Sequence, residues 1–511
     1  MHQLTERERG TVVLWALAIL TLLLHFLTNS RYGYFRDELY YIVCGRHLAF
    51  GYVDQPPLSI ILVRLSHGSF GDSLFALRLL PAIAGSLTVA LTGAIARQLG
   101  GRAWAIALSC TASLCALVFL VNTNFFSMNA FESLFWMGCI YLLVRIINGD
   151  SPRLWLWFGL LAGLGLENKH SMAFFGIGML VGILLTPARR HLTQKWIWLG
   201  GFIAMLVALP NVLWQVQHHW PTWELLSNIA HSHKNVLLTP AQFLSQQILI
   251  MSPATLPLWL GGLLWLLVTT NGHRYAALAI AFLVTLIEFI LLHGKIYYLS
   301  PAYPMLFAAG AVATEHLFLV RFRWVKPLLV AAMIATAALL APIALPILPP
   351  AKLIAYMRAI HFEAPRTETS HTAALPQHFA DQFGWEEMAG SVARAYRSLS
   401  PNEQRHTAIF AQNYGEAGAI DFFGAKLGLP PAISGHQNYY LWGPRDYTGD
   451  IILVLDDSAE DEREQFQSVE DLGQVQSSPW AMPNEQALHV FLCRGLKVPL
   501  HDFWPKTKNW L

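Results

Sequence analysis

The chain has 511 residues, 54% of them apolar and 13% charged, with 18 Trp, a composition that excludes an ordinary soluble globular protein and points to a membrane. The net charge of +2 conceals an asymmetry. Of the charged residues, 33 lie in residues 1–347, where basic groups outnumber acidic ones 21 to 12, and 33 lie in 348–511, where acidic groups outnumber basic ones 20 to 13. No basic stripe stands out, so nucleic acid is excluded as a partner. Cys110, Cys115 and Cys139 lie in apolar runs, which excludes a disulfide framework and leaves Cys44 and Cys493 for at most one bridge.

A transmembrane helix needs roughly 20 mostly apolar residues. About eleven stretches qualify by that standard, near 11–28, 73–97, 103–121, 128–147, 154–167, 171–187, 196–213, 254–270, 275–293, 298–318 and 325–347. The expected architecture is a polytopic α-helical membrane domain over 1–347 and a soluble α/β domain over 348–511. Arg7 and Arg9 precede the first stretch and no small-residue cleavage site follows it, which predicts a retained anchor. A cytoplasmic N-terminus places 13 of the 21 basic residues of this region inside, Arg321 and Arg323 among them, and puts the C-terminal domain outside. Residues 29–72 and 214–252 mix Trp, His, Tyr and Pro with apolar residues, as interfacial helices do. In the tail, Thr407 to Phe410, Ile451 to Asp456 and Ala487 to Cys493 read as strands. Trp385 to Tyr396 and Ala417 to Leu427 read as helices. Pro346, Pro349 and Pro350 mark the boundary.

Asp37 and Glu38 are adjacent carboxylates just after the first apolar stretch. They suit either a solvated loop paired with Arg36 or a general base that takes a hydroxyl proton. Asp54, before Pro56 and Pro57, could align Asp37, bind a metal or cap the helix that Pro56 would start. Lys169 pairs with Glu167, snorkels, or meets a lipid phosphate. Lys295, ahead of Tyr297 and Tyr298, offers the same choice between an aromatic belt and a phosphate site. His218, His219, His231 and His233 match no zinc spacing, and interfacial solvation explains them. No Walker loop, dinucleotide fingerprint or Ser nucleophile elbow is present.

Taken together, Arg36-Asp37-Glu38-Leu39-Tyr40-Tyr41, Gly51-Tyr52-Val53-Asp54-Gln55-Pro56-Pro57-Leu58, Leu166-Glu167-Asn168-Lys169 and Lys295-Ile296-Tyr297-Tyr298-Leu299-Ser300-Pro301 resemble the GT-C fold glycosyltransferases of the protein O-mannosyltransferase and lipid A aminoarabinose transferase type. The tail, with Asn413-Tyr414-Gly415-Glu416-Ala417-Gly418 and the segment from Ser434 to Pro444, looks like that of bacterial members of this broad family. The resemblance implies a polyprenyl-phosphate-linked sugar as donor and a glycan, lipid or protein hydroxyl as acceptor. It makes Asp37 the catalytic acid residue and Asp54 the second acid. The donor phosphate falls to Lys169, Lys295, Tyr297 and Tyr298, and a divalent metal could share that charge. The aminoarabinose transferases carry a Lys where this chain has Gln55 and an Arg where it has Tyr40. The acid they place near the start of the fourth span matches Asn129 here, with Glu132 one turn away. Tyr40 and Tyr41 complete the supporting set. The implied reaction is inverting transfer to an envelope glycan or lipid at the outer face of the inner membrane, with no catalysis by the tail. A lipid-linked sugar transporter would instead place its ionisable residues near mid-membrane, a non-catalytic scaffold would tolerate amides at Asp37 and Asp54, and a protein O-glycosyltransferase would need a docking module for its acceptor.

Overall fold

The computed structural model describes residues 4–232, 234–317, 324–369 and 372–511; His233, Arg321 and Arg323 lie outside them. The fold is predominantly α-helical with one small sheet. Its residues form two compact units. The first comprises Met1–Arg31, Phe75–Trp214 and Leu237–Leu348, and the second Tyr32–Leu74, Gln215–Val236 and Pro349–Leu511.

The first unit holds the apolar helices. Among the described residues, six helices are long and apolar enough to cross a membrane: Glu6–Thr28, Leu74–Gln98, Met128–Ile147, Lys195–Gln217, Ile296–Glu315 and Val325–Ala344. Two bent pairs raise the number to eight, Met172–Leu184 with Pro187–Thr193 at 100° and Pro240–Ile250 with Pro253–Val268 at 95°. Proline opens the second arm of each pair, where it has no amide hydrogen to continue the preceding helix. Other stretches are shorter helices, such as Leu154–Asn168 and Ala276–Leu291. The expected 103–121 helix is interrupted at Ala116, which is extended (φ −76°, ψ 114°) between Ala103–Cys115 and Leu117–Asn122. Neither Pro nor Gly marks that break.

The Lys195–Gln217 helix leaves Trp198, Phe202 and Met205 well exposed. Such a surface suits lipid, because acyl chains solvate what water would not. Where helices meet closely, small residues make room: a side chain on Gly262 or Gly310 would collide with the backbone of the facing helix. Membrane helices pack through such residues because lipid removes the hydrophobic drive to associate. The first helix begins with a reciprocal cap, Thr5 Oγ1 accepting from the Glu8 amide and Glu8 accepting from the Thr5 amide.

The second unit is built on a four-stranded sheet of order β1-β2-β4-β3, comprising β1 (Thr407–Phe410), β2 (Ile451–Asp456), β3 (Phe466–Gln474) and β4 (His489–Leu496). β1 and β2 are parallel, and β4 runs antiparallel to both β2 and β3. The predicted strands over 407–410 and 451–456 are present with those bounds, whereas β3 went unpredicted. β3 is an edge strand, Phe-Gln-Ser-Val-Glu-Asp-Leu-Gly-Gln, mostly exposed and irregular near Gly473, so it lacks the apolar run that reveals a buried strand. Ile452, Val454, Phe491 and Cys493 form one face of its core with Leu500 and Trp504. All five cysteines are free and buried, Cys44 and Cys493 included, so the single bridge that remained open is absent.

Candidate active site and its relatives

In the second unit, Phe35 is the extended residue from which the Arg36–Arg46 helix starts, so the Asp37 and Glu38 carboxylates lie in its first turn, where the helix dipole favours negative charge. The two neighbours have different tasks. Glu38 is fully buried and its Oε2 accepts the Phe35 amide at 2.8 Å. Asp37 is partly exposed; its Oδ1 accepts from the Tyr414 hydroxyl at 2.8 Å and lies 3.8 Å from Arg36 Nε. Arg36 also reaches Asp381 at 3.9 Å and lies over the Tyr414 ring, 5.5 Å from its centroid.

Tyr414 arrives on the Tyr414–Phe423 helix of the tail. Asn413 caps that helix, its Oδ1 accepting from the Gly415 and Glu416 amides at 2.9 and 3.0 Å. A β-carbon on Gly415 would come within 2.5 Å of Arg36 Cγ, and one on Gly418 within 3.1 Å of the Tyr40 amide. These two glycines, three apart on one helix face, allow the two helices to touch. The Tyr414 amide donates to His436 Nδ1 at 3.1 Å, and His436 Nε2 lies 3.0 Å from the Leu511 carbonyl. Since Nδ1 accepts, Nε2 carries the hydrogen. Burial holds this imidazole neutral, with its pKa pushed down to about 3.

Asp54 does not cap a helix. Pro57 stands at the start of the Leu58–Phe70 helix without a side-chain cap, and Asp54 Oδ1 instead accepts from the Tyr40 hydroxyl at 3.0 Å. Proline at 56 and 57 suggested the cap, but a buried phenol close by offers the stronger donor. Tyr40 is itself fully buried, its oxygen accepting the Asn438 amide at 3.4 Å and its ring 4.7 Å from that of Tyr414. Tyr41, also buried, has its ring 6.2 Å from Tyr40. Gln55 is fully buried and neither amide atom has a hydrogen-bond partner among the described residues.

Burial, reinforced by the charge of Asp37, raises the Asp54 pKa to about 7 from 3.8. The folded chain therefore binds more protons than the unfolded chain between those values. The resulting stability is complete below about pH 4 and is lost as pH rises to about 7. Asp54→Asn should remove this part of the slope, as thermal unfolding of both proteins across pH 4 to 8 will show; an unchanged slope would exclude Asp54 as its source.

In the first unit a second group converges. Lys169 Nζ donates to Asn129 Oδ1 at 2.8 Å and to Glu132 Oε2 at 2.9 Å, and Ser171 Oγ donates to the other Glu132 oxygen. The Lys169 ammonium lies 4.2 Å from the Tyr298 ring centroid and 5.6 Å from that of Tyr297. Lys169 and Glu132 are 6% and 4% exposed. The anticipated pairing with Glu167 is thus corrected to Glu132, one helical turn from Asn129 and close enough for direct contact. Lys295, half-buried, starts the Ile296–Ala302 turn that carries both tyrosines. No three His, Cys, Asp or Glu among the described residues are grouped as a metal site would require. His231 Nδ1 is bonded to the Ser227 carbonyl of its own helix.

Sequence reading singled out most of these residues but missed the roles of Tyr414, Asn438 and His436. Their motifs were visible in the tail; what they touch was not, because Tyr414 lies 377 residues from Asp37.

Comparison with known proteins bears on the fold. The family model for dolichyl-phosphate-mannose-protein mannosyltransferase matches residues 54–214. The chain is 28% identical over 202 residues to the lipid A galacturonosyltransferase RgtD of Rhizobium johnstonii, a match covering 39% of this chain and 42% of that relative. Among solved structures, ArnT from Cupriavidus metallidurans superposes with a TM-score of 0.62 at 15% identity, covering 94% of this chain and 98% of ArnT. The same ArnT has been solved bound to undecaprenyl phosphate. The Archaeoglobus fulgidus oligosaccharyltransferase gives a TM-score of 0.51 at 13% identity, covering 83% of this chain and 64% of that protein. The chain is therefore a multi-pass membrane protein of the GT-C fold, carrying a small C-terminal sheet domain.

Proposed function

We propose that the chain is an inverting glycosyltransferase that moves a sugar from a polyprenyl-phosphate donor to a hydroxyl of an envelope lipid or glycan. The observation that carries this reading is the state of Asp37: a partly exposed carboxylate with one oxygen bonded by the Tyr414 hydroxyl and faced by Arg36 at 3.8 Å, and no hydrogen bond to the other among the described residues. The name of RgtD, a lipid A galacturonosyltransferase, supports a lipid acceptor, and the undecaprenyl phosphate bound to ArnT supports a lipid-linked donor.

In this mechanism Asp37 Oδ2 takes the proton of the acceptor hydroxyl as its oxygen bonds to the anomeric carbon. The bond from that carbon to the phosphate oxygen breaks on the opposite face, inverting the centre. The lipid phosphate leaves as a stable anion and needs charge stabilisation rather than a proton. Lys295, Tyr297, Tyr298 and the Lys169 group serve that phosphate. Two of the three Lys169 donors are already engaged, which leaves one for the phosphate. Lys295→Met should weaken donor use by about 1.5–3 kcal/mol, the typical contribution of a hydrogen bond to a charged group. Donor kinetics equal to wild type would return Lys295 to the aromatic belt.

Gene deletion tests the function itself. Mass spectrometry of envelope lipids and glycans should lose one sugar mass, which the intact gene restores; identical profiles would count against it. The N-terminus lies inside and the tail outside the inner membrane in this reading, consistent with the inward basic residues. A reporter enzyme active only in the periplasm, fused after Leu511, should be active. A well-expressed silent fusion would reverse the orientation.

A further inference from the structure

We propose that Tyr414, from the C-terminal domain, is the positioning residue of the general base: it holds Asp37 Oδ1 so that Oδ2 presents its lone pair to the acceptor. The inference rests on the reading of Asp37 as the base and adds a second part of the chain to the site.

Three observations converge on it. The Tyr414 hydroxyl donates to Oδ1 at 2.8 Å, the same oxygen that Arg36 Nε approaches at 3.8 Å. Both restraints fall on one side of the carboxylate, and the described residues place no hydrogen bond on Oδ2. A carboxylate free to rotate about its last bond would offer either oxygen; this one is fixed.

The phenol is also held from behind. Its ring packs 4.7 Å from Tyr40 and 5.0 Å from His436, its backbone amide is bound by neutral His436, and Asn413 caps its helix. Gly415 and Gly418 admit the helix to within contact of Arg36 and Tyr40. This support makes the motif Asn413-Tyr414-Gly415-Glu416-Ala417-Gly418 intelligible: a cap, a donor and two clearances in six residues.

Tyr414→Phe removes only the oxygen and keeps the ring against Tyr40. The charged and titratable groups acting on this carboxylate and its neighbours include Arg36, Tyr40, Tyr414, Asp54, Lys234, Glu368 and Asp381, and only the Tyr414 hydroxyl is lost. With saturating polyprenyl-phosphate sugar, kcat should fall about 10- to 100-fold, the loss of one hydrogen bond to a charged group. KM for donor should stay within about twofold, since positioning of the base leaves ground-state binding alone. The loss should therefore appear equally in kcat and in kcat/KM, as removal of an interaction that counts only in the transition state requires. A merely structural role would lower the active fraction and leave kcat per folded molecule unchanged. Should Tyr414→Phe fail to fold, 3-fluorotyrosine at position 414 preserves the shape and alters only the strength of the donor, and should change kcat per folded molecule while KM for donor stays within about twofold. A kcat per folded molecule equal to wild type overturns the proposal. If Asp37→Asn is inactive in the same assay while Tyr414→Phe behaves as wild type, the base assignment stands and Tyr414 alone is wrong; if Asp37→Asn is active, the base assignment itself fails.

Discussion

Asp37→Asn should abolish sugar transfer while leaving the folded protein and its donor binding intact. Asparagine keeps the size of the side chain and can still accept the Tyr414 hydrogen bond that Oδ1 receives at 2.8 Å. It cannot take up a proton at neutral pH, so only the transition state suffers. Loss of a general base typically lowers the rate by about 10²–10⁴-fold. The adjacent Glu38 is distinguished by its surroundings: its buried carboxylate receives the Phe35 amide and belongs to the start of the helix. Glu38→Gln should therefore act on stability, not on the chemical step. Turnover by purified variants, set beside thermal unfolding, separates the two; near-normal turnover by folded Asp37→Asn would remove Asp37 from the mechanism.

Glu132→Leu and Lys169→Met should each destabilise the first unit strongly. Lys169 and Glu132 form a buried pair at 2.9 Å, and removing either leaves the other as a charge with too few partners. Breaking such a pair typically costs about 3–5 kcal/mol, whereas replacing both members by apolar residues of similar volume is often neutral. The double variant should consequently regain most of the stability that each single variant loses. Denaturant unfolding of all four proteins in one detergent measures this coupling, and single variants within about 1 kcal/mol of wild type would show an ion pair without weight. The double variant also isolates function: folded but poor in donor use, it would assign Lys169 a contact with phosphate beyond its structural task.

Much of this arrangement was legible in the sequence because its signals are local. Apolar runs such as Ile451 to Asp456 announce buried strands, and a proline such as Pro187 or Pro253 ends an apolar stretch with a bend. Asp37, Asp54 and Lys169 drew notice as charged residues beside apolar runs, where an ion is costly without a purpose. What stayed hidden depends on long-range packing. Nothing near Lys169 points to Glu132, 37 residues earlier, in preference to Glu167 two residues away. The interruption at Ala116 has no breaker residue, and the polar edge strand β3 resembles a loop. Tyr414 meets Asp37 only because Gly415 and Gly418 clear a path for the Arg36–Arg46 helix, and a glycine in a helix does not announce what it faces.

The most direct measurement of the central claim is transfer by the purified, folded chain in lipid. It uses a polyprenyl-phosphate donor labelled in its sugar and envelope lipids extracted from cells lacking the gene. The account predicts that label moves to an acceptor with inverted anomeric configuration, that free polyprenyl phosphate appears in equal amount, and that Asp37→Asn stops both. Donor left intact by the wild-type chain, or label transferred equally well by Asp37→Asn, would contradict it.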